Sequence, residues 1–489
     1  MLTISQALYT AAQTRELDRC AIDQGIPAEE LMLRAGKAAW QVLANRWPAA
    51  KHIVVLTGAG NNAGDGFVLA DEALHAHRRV TVANVGDTTK LSGAAAKART
   101  KYLTAKGKEQ KFSGASLDEG DVIVDALLGT GLDRPVQGSW AEAIQLVNNC
   151  SKPVLALDIP SGLNADSGAV MGTAVQATMT VTFIGKKAGL VTGQGPTCAG
   201  EIVLAGLEVP QQVYANVTPV ARCIDDAEMH LPRRARAAHK GRFGHVLVIG
   251  GNIGMGGSVR LTAEAALRSG AGLVTVATRP AHVTVLLAGL PEAMVHGLEN
   301  AAELLPLIER ATVIAIGPGL GQDDWGRMLL AMALDTQLPL VVDADALNLL
   351  AAHPIVRGQW VLTPHPGEAS RLLKKSISEI QAHRYQAAQQ LMEQYRAVVV
   401  LKGAGSIIAV VDELPAVCTY GNPGMAAPGM GDALTGVIAA LIAQDLSLPE
   451  AARMGVALHA LAGDRAAESG ERGLMTRDLI SGLRHVMNL

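Results

Sequence analysis

Short apolar runs alternate with amphipathic stretches along the whole chain. Runs rich in β-branched residues at 53–57, 80–85, 122–125, 154–158 and 179–184 each predict a buried strand. Between them, residues 29–46 and 65–77 repeat apolar positions with the spacing of a helix. A second series of predicted strands lies at 245–249, 273–277, 313–316, 340–343, 360–363 and 397–401. This alternation of strand and helix is typical of largely parallel α/β sheets.

The two series of strands predict two domains. We place the boundary near residue 222, which gives domains of residues 1–221 and 222–489. Their glycine-rich motifs differ, so the halves do not form an internal repeat. The stretch 231–242, which precedes the second series, contains Arg233, Arg234, Arg236, Lys240 and Arg242. A solvated linker is the favoured interpretation of this stretch, and a phosphate-facing arm is the alternative.

Composition narrows the classes of partner. The chain has 42 Lys and Arg against 45 Asp and Glu, a net charge of −3, and only 3% aromatic residues. These values disfavour nucleic acid and anionic membrane surfaces as partners. The five cysteines form no C-x-x-C pair. No apolar stretch reaches the ~18 residues needed to cross a bilayer. We therefore expect a cytoplasmic protein with small-molecule substrates, no nucleic-acid or membrane partner, and a homo-oligomeric state.

The most specific motif of the second half is NPGMAAPGMGDALTG, residues 422–436, which precedes an apolar helical run. Gly424, Gly429 and Gly431 let several backbone N–H groups converge at the positive end of a helix, where they form an anion site. Asp432 stands beside this site and is a candidate base for a substrate hydroxyl. The alternative is that Asp432 only caps the helix.

Four other turns of the second half follow predicted strands. They are GPGLG (317–321), DADALN (343–348), TPHPGE (363–368) and LKGAGS (401–406). Because ligands bind at the carboxyl ends of strands in open α/β sheets, these turns predict one cleft, although each alone is also compatible with a structural turn. A Walker A motif and the protein-kinase H-R-D motif are both absent, so a nucleotide site here is of another kind.

The first half has three comparable turns. GAGNNAGDG, residues 58–66, does not fit the Rossmann fingerprint G-x-G-x-x-G but is suited to holding phosphate at a helix start. DALLGTGLDRP (125–135) and DIPSGLNADSG (158–168) follow two further strands. Asn61, Asp125 and Ser161 offer three hard oxygen atoms that suit an alkali or alkaline-earth ion, and Asp158 is available as an acid or base. The alternative is that these side chains stabilise turns.

Taken together, the second-half motifs resemble those of the ribokinase-like dehydratases that repair hydrated NADH and NADPH. The resemblance implies an ADP-dependent reaction in which the ring hydroxyl is phosphorylated and phosphate is then eliminated. It makes Asp432 the catalytic base and implies that the adenine nucleotide is held by Gly431 and by Lys402, Gly403, Ala404, Gly405 and Ser406. The hydrate would contact Ser258, Gly319, His365 and Asp432. Mg²⁺ bridging the phosphates is expected from the chemistry of phosphoryl transfer.

The first half resembles the epimerase domain of the same repair system. This resemblance implies K⁺ bound by Asn61, Asp125 and Ser161, and Asp158 beside the reacting carbon. It implies that the substrate is held by Gly60, Asn61, Asn62, Ala63, Gly64, Gly129, Thr130, Gly131, Leu132, Asp133, Arg134, Pro135 and Asp158. The family usually has glycine where this chain has Ala63, and an extra methyl there is harmless only where φ is negative.

The resemblances together predict a bifunctional repair enzyme. Its fold would be α/β, a Rossmann-like three-layer αβα epimerase domain followed by a ribokinase-like dehydratase domain. It would interconvert the R and S hydrates and dehydrate the S epimer with ADP, which gives NAD(P)H, AMP and phosphate. The alternative is a small-molecule kinase of the ribokinase type with a non-catalytic ligand-binding N-terminal domain.

Overall fold

A computed structural model describes residues 3–489. The chain forms two compact units, the first ending at Arg222 and the second beginning at Cys223. This division falls within one residue of the predicted boundary.

The first unit is built on a seven-stranded parallel sheet in the order β4-β3-β2-β5-β6-β7-β9. The chain runs outward from β2 to β4 and returns to β5, so the strand order reverses between β2 and β5. The strands up to the boundary, of which β1, β8 and β10 lie outside this sheet, are β1 (Ala7–Tyr9), β2 (His52–Thr57), β3 (Arg79–Asn84), β4 (Glu109–Lys111), β5 (Val122–Ala126), β6 (Val154–Leu157), β7 (Met179–Phe183), β8 (Lys186–Lys187), β9 (Glu201–Ala205) and β10 (Ala221–Cys223).

Helices cover both faces of this sheet. Alternate strand residues point to opposite sides, so Val55 and Val124 belong to one apolar cluster and Val54 and Ile123 to another. The first cluster contains residues of α1 to α4 and α8, and the second contains residues of α5 and α6. The helices are α1 (Ala11–Asp23), α2 (Ala28–Arg46), α3 (Asn61–His75), α4 (Gly93–Thr104), α5 (Ala115–Asp118), α6 (Ser139–Asn149), α7 (Gly195–Ala199) and α8 (Gln211–Ala215).

The second unit has a mixed sheet in the order β13-β12-β11-β14-β15-β16-β17-β18-β19. The pairs from β13 to β17 are parallel, and β17-β18 and β18-β19 are antiparallel. Here the strand order reverses between β11 and β14. The strands are β11 (His245–Ile249), β12 (Leu273–Thr278), β13 (Met294–Gly297), β14 (Val313–Ile316), β15 (Leu340–Val342), β16 (Trp360–Leu362), β17 (Val398–Leu401), β18 (Ser406–Ala409) and β19 (Ala416–Cys418).

One core of the second unit lies between its sheet and a group of helices led by α17. The helix α17 is almost wholly apolar and buried, and α9, α18 and α19 share its cluster. The helices are α9 (Gly256–Arg268), α10 (Val283–Gly289), α11 (Leu305–Ile308), α12 (Asp324–Leu334), α13 (Ala344–Ala352), α14 (Pro366–Leu373), α15 (Ile377–Ala382), α16 (Arg384–Tyr395), α17 (Met430–Ala443), α18 (Leu448–Ala466) and α19 (Thr476–Val486).

All eleven predicted strands are confirmed, each to within a residue at either end. The helix predicted from residue 65 begins at Asn61, so the asparagines of GAGNNAGDG form its first turn. The antiparallel strands β18 and β19 are short and lie next to glycine and proline, and the alternation of apolar positions did not reveal them.

The basic stretch 231–242 belongs to the second unit, where most of its residues are exposed. Within this stretch, the side chain of Arg234 makes close contacts. Its guanidinium lies 3.6 Å from the centroid of the Phe243 ring and donates to the carbonyl oxygen of Gly270 at 2.5 Å. Arg234 therefore serves local packing.

Candidate functional sites

The site of the first unit lies where its strand order reverses. The turns after β2, β5 and β6 border a cavity of about 930 Å³, as does helix α1. Gly60, Asn61, Asn62 and Asp158 line this cavity. The entire predicted segment Gly129, Thr130, Gly131, Leu132, Asp133, Arg134 and Pro135 lines it as well.

A buried hydrogen-bond network joins Asp125 to Ser161. The Ser161 backbone N–H donates to Oδ2 of Asp125 at 2.8 Å, and its hydroxyl donates to Oδ1 at 2.6 Å. Burial raises the pKa of Asp125 to about 6, and the hydrogen bonds from Ser161 and Leu127 act in the opposite direction. Asp125 and Ser161 therefore lie side by side, as the sequence analysis expected.

The neighbouring amide in this network is Asn62. Its Nδ2 donates to the carbonyl oxygen of Leu128 at 3.1 Å, and the Leu128 N–H donates to the Ser161 hydroxyl at 2.8 Å. Within residues 3–489, the buried Oδ1 atom of Asn62 has no hydrogen-bond partner. Asn61 lines the same cavity, but its side chain is exposed.

Ala63 and Gly64 lie behind the cavity wall. Both are buried in the first turn of α3, and Gly64 packs so closely on Met32 that an added Cβ would lie 2.5 Å from the Met32 sulfur. Ala63 lies within α3, and its φ is negative. The extra methyl is therefore accommodated without backbone strain.

Asp158 is held in an unusual backbone conformation next to a buried lysine. Its φ is +65°, and its Oδ1 accepts from the Phe183 N–H at 3.3 Å and contacts the ammonium of Lys187. Lys187 is fully buried and also donates to the carbonyl oxygen of Phe183 at 3.0 Å. A non-glycine residue with positive φ is uncommon and concentrates at functional sites.

Two further carboxyl groups line the cavity beside this pair. Burial raises the pKa of Asp18 to about 6, with Lys187 lowering it and Asp158 raising it. Burial also raises the pKa of Asp65 well above its ordinary value, and the charges of Asp158 and Asp18 act in the same direction. The sequence analysis missed Asp18, Asp65 and Lys187, because they belong to α1, α3 and β8 and only the fold brings them to Asp158.

The site of the second unit is centred on a buried ion pair. The ammonium of Lys402, just after β17, lies 2.6 Å from Oδ1 of Asp343, just after β15. The hydroxyl of Thr435 in α17 donates to Oδ2 of Asp343 at 2.9 Å. Burial opposes ionisation of Asp343, but Lys402 and hydroxyl hydrogen bonds outweigh it and lower the pKa of this carboxyl. Burial likewise opposes the charge of Lys402, and Asp343 and Glu368 outweigh it and raise the pKa of Lys402.

Gly431 lies directly against this pair at the start of α17. A Cβ at Gly431 would stand 3.1 Å from Nζ of Lys402 and 3.5 Å from Oδ2 of Asp343. The preceding Gly429 has φ +87°, a conformation that glycine adopts readily. The first turn of α17 therefore begins beside an ammonium group, with no side chain at Gly431 between them, which is an arrangement suited to phosphate.

Asp432 lies in the first turn of α17. Burial and the charge of Asp343 raise the pKa of Asp432 to about 6, whereas a hydrogen bond from Ser258 and the charge of Lys402 lower it. Ser258, in the first turn of α9, is thus brought to Asp432. Gly319, with φ +58°, lies against the same turn, since a Cβ there would stand 2.8 Å from Cβ of Met255.

His365 forms the N-cap of α14. Its Nδ1 accepts from the Gly367 N–H at 2.9 Å, and its Nε2 lies 3.4 Å from Oε1 of Glu368. Burial, then the charge of Lys402, lowers the pKa of His365. Burial raises the pKa of Glu368 to about 7, although the ammonium of Lys402 lies 3.9 Å from its Oε2.

The turn 402–406 is held in place by Arg384, another residue that the sequence analysis missed. The buried guanidinium donates to the carbonyl oxygens of Leu401, Lys402 and Gly405 at 3.3–3.4 Å. Gly403 has φ +141°, and a Cβ there would meet the guanidinium at 2.9 Å. The Ser406 hydroxyl donates to the Gly403 carbonyl oxygen at 3.0 Å and closes the turn, in which Gly403 and Ala404 are exposed.

Some classes of site are not found among residues 3–489. That part of the chain has no cluster of three or more His, Cys, Asp or Glu side chains suited to a metal ion. Its helices include none that is both long enough and apolar enough to span a bilayer. All five cysteines are free thiols.

Comparison with known proteins gives matches to both halves. Residues 246–484 match the family described as NAD(P)H-hydrate dehydratase, and residues 28–189 match the family described as YjeF-related protein N-terminus. The chain is 50% identical to the bifunctional NAD(P)H-hydrate repair enzyme of Coxiella burnetii over 484 residues, which are 98% of this chain and 99% of that protein. It is 41% identical to the enzyme of the same description from Escherichia coli, over 100% of this chain and 95% of that protein.

Solved structures resemble the second unit. A ribokinase-like superfamily protein from Enterococcus faecalis is 34% identical with a TM-score of 0.50, and the match covers 53% of this chain and 92% of that protein. The match supports a ribokinase-like fold for the second unit.

Proposed function

The chain belongs to the family of bifunctional NAD(P)H-hydrate repair enzymes, and from this premise we propose how its two units divide the work. The first unit is the epimerase that interconverts the R and S hydrates. The second is the dehydratase that consumes the S hydrate with ADP and yields NAD(P)H, AMP and phosphate. The family confirms the overall function predicted from the motifs.

In the first unit, Asp158 would act on the ring carbon that carries the hydroxyl. Loss of that hydroxyl leaves a cation delocalised onto the ring nitrogen, and water returns from either face. A carboxylate at this position stabilises the cation and moves the proton. Gly60, the asparagines and the segment 129–135 line the cavity and would hold the dinucleotide.

The residues near Asp125 fit a potassium ion. The orphaned Oδ1 of buried Asn62, the carboxylate of Asp125 and the hydroxyl of Ser161 are hard oxygen donors of the kind that alkali ions prefer. Asn61, predicted as a ligand, lines the same cavity through an exposed side chain. K⁺ bound here would place positive charge near the phosphates of the substrate.

In the second unit, Asp432 would take the proton of the ring hydroxyl while the transferred phosphoryl group lies against the amides of α17 and Lys402. Phosphorylation converts a poor leaving group into a good one, and elimination of phosphate restores the dihydropyridine. Ser258, Gly319 and His365 would contact the hydrate, and the segment 402–406 would hold the adenine nucleotide. Because no all-protein metal cluster exists among residues 3–489, Mg²⁺ would be held chiefly by phosphate oxygens and water.

The observation that carries this proposal is the approach of Gly431 to the Lys402–Asp343 pair with Asp432 beside it. The test is to incubate the purified chain with mixed hydrate epimers, ADP and Mg²⁺. Absorbance of reduced nicotinamide and orthophosphate should rise together until both epimers are consumed. Release of a stable phosphorylated hydrate, without recovery of absorbance, would instead indicate a simple kinase.

Two variants separate the sites. Asp432→Asn should lower kcat of dehydration by about a thousandfold, within the range of a lost general base, and leave ADP affinity within a few-fold. The matched control Asp324→Asn replaces a fully accessible carboxylate and should change neither value. Normal dehydration by Asp432→Asn would contradict its role.

For the ion, replacing K⁺ by choline should slow epimerisation and leave dehydration of the S epimer unchanged. K⁺ should also raise the melting temperature of the wild-type chain, and Asp125→Asn should lose this shift. An equal thermal shift in the variant would exclude the site.

We extend this proposal to the location of the protein in the cell and to its assembly. Five free thiols are compatible with a reducing cytoplasm. The exposed apolar side chains Val285 and Leu287 of α10 and Met294 of the edge strand β13 support a homo-oligomer. Light scattering of the purified chain tests the assembly, and a monomer at micromolar concentration would refute it.

A further inference from the structure

Helix α1 contributes a carboxyl group to the first cavity from outside the region matched by the epimerase family. That match begins at residue 28, whereas α1 spans Ala11–Asp23. Thr14, Asp18 and Ile22 follow one another at four-residue intervals, so they share one face of the helix, and all three line the cavity. Helix α1 thus supplies part of the cavity lining.

The position of Asp18 is fixed by contacts of its helix. The Thr10 hydroxyl caps α1, the Ala11 N–H donates to the carboxylate of Asp166 at 2.6 Å, and Leu17 is fully buried. The Asp18 carboxyl itself makes no hydrogen bond to another residue of the described chain, residues 3–489. Its charge therefore has no evident task in holding the fold together.

Asp158 and Asp18 differ in how their oxygens are used. Oδ1 of Asp158 already contacts the buried ammonium of Lys187 and the Phe183 N–H. Asp18 feels both charges without a direct bond to either, and burial raises the pKa of Asp18 to about 6. The titratable or charged side chains that interact with Asp18 are Asp65 of α3, Asp158, Lys187 of β8 and Tyr214 of α8, and Arg15 of α1 lines the same cavity.

Epimerisation by hydroxyl exchange requires proton transfer on both faces of the ring. A carboxyl group on one side cannot easily reach the hydroxyl on both faces of a planar cation held in a cavity. A second carboxyl group on a different wall meets this requirement. Resting on the proposed epimerase function, we propose that Asp18 is a second catalytic acid–base residue, which serves the ring face opposite to that served by Asp158.

The steps balance as follows. The C–O bond of the hydroxyl-bearing carbon breaks with both electrons going to oxygen, the acid form of one carboxyl supplies a proton, and water leaves. The lone pair of the ring nitrogen forms a C=N bond. Water then attacks the same carbon from the other face, its electrons return the C=N pair to nitrogen, and its proton passes to the second carboxylate. One proton has moved between the two carboxyl groups, and solvent in the cavity returns it.

The test uses the full chain and purified R hydrate. Asp18→Asn should lower kcat of epimerisation by about a hundredfold or more, as expected for a lost acid–base group, while dehydration of the S hydrate with ADP stays unchanged. Asp18→Glu, which keeps the carboxyl group, should recover part of the rate. The control Asp23→Asn, on the same helix and paired with exposed Arg19, should epimerise normally.

The pH profile distinguishes a catalytic from a structural role. In the wild-type chain acting on the R hydrate, where Asp18 supplies the proton to the departing hydroxyl, kcat/KM of epimerisation should fall as pH rises through about 6, because the proton on Asp18 is lost. The residual activity of Asp18→Asn should lack this fall. In H₂¹⁸O, the hydroxyl of the product epimer should carry the heavy isotope.

The possible outcomes separate the inference about Asp18 from the proposed epimerase function. If the wild-type chain epimerises and Asp18→Asn matches it within threefold, or is slow but keeps the same pH profile, the inference about Asp18 is overturned and the proposed function stands. Product without the heavy isotope would overturn the exchange route and this inference with it. If the wild-type chain does not epimerise at all, the proposed function fails as well.

Discussion

The ion pair between Lys402 and Asp343 allows a quantitative test of what holds the second site together. In Lys402→Met, a side chain of similar length loses its ammonium and leaves Asp343 buried with only hydroxyl partners. Removing one partner of a buried pair costs about 3–5 kcal/mol. The side chain of Lys402 is 17% exposed and Thr435 still donates to Asp343, so we expect the lower limit, about 3 kcal/mol.

Hydrogen exchange measured by mass spectrometry is the suitable assay, because it reports on each unit separately. Since about 1.4 kcal/mol corresponds to tenfold, amides of β15 and β17 that exchange through unfolding of the second unit should exchange roughly a hundredfold faster. Peptides from β2 and β5 of the first unit are the internal control and should be unchanged. The double variant Asp343→Asn, Lys402→Met should recover part of the loss, with a coupling energy of about 1.5–2 kcal/mol.

The sign of the pH dependence gives a second check. In the wild-type chain the pKa of Asp343 is lowered, so its stabilising contribution is present above its ordinary pKa and is lost only as pH falls through the lowered value. In Lys402→Met the buried carboxyl accepts a proton more easily. The ratio of variant to wild-type exchange should therefore shrink between pH 7 and pH 5. A ratio near one at pH 7, or a double variant as unstable as the summed single variants, would refute the reasoning.

Three further predictions concern Gly319 and Arg384 of the second unit and Ala63 of the first unit. Gly319→Ala places a Cβ at φ +58° and 2.8 Å from Met255, so dehydration kcat/KM should fall about tenfold while epimerisation is unchanged, as parallel assays on one preparation will show. Arg384→Lys removes the planar fork under the turn 402–406, so the Kd for ADP, measured by calorimetry, should rise by about tenfold; an unchanged Kd would contradict this. Ala63→Gly restores the usual family residue in a helix with negative φ, so chemical unfolding should show a loss of about 0.5–1 kcal/mol, and epimerase kcat/KM should not improve.

The sequence allowed most of the fold to be predicted for a physical reason. Buried parallel strands have nearly continuous apolar runs, and the polar turns that follow them meet at one sheet edge. Asp125 and Ser161 are therefore close together although they are 36 residues apart, and the same rule brings Asp343 to Lys402. Both pairs could be placed without knowledge of side-chain packing.

Details that depend on the phase of a helix could not be predicted. Helix α3 begins at Asn61, and this start turns Asn62 inward towards Leu128 while Asn61 remains exposed. A helix that began one residue earlier would have placed Asn61 in this inward position. Arg384 and Lys187 were missed for another reason, since each acts through contacts with residues distant in sequence that no local pattern records.

The two sites share one electrostatic arrangement despite their different folds and chemistry. In each, a buried lysine is paired with one carboxylate, Asp158 with Lys187 and Asp343 with Lys402, and a second carboxyl group lies nearby with its pKa raised to about 6. In each pair an oxygen of the carboxylate is occupied by the ammonium group, and for Asp343 the lysine lowers the pKa. The second group is penalised by burial and by the charge of its neighbour, so it exchanges a proton near neutral pH at little cost. This arrangement favours the proposed assignment of Asp432, rather than Asp343, as the base of the dehydratase site, and the same physical reasoning supports the proposed role of Asp18 in the epimerase site.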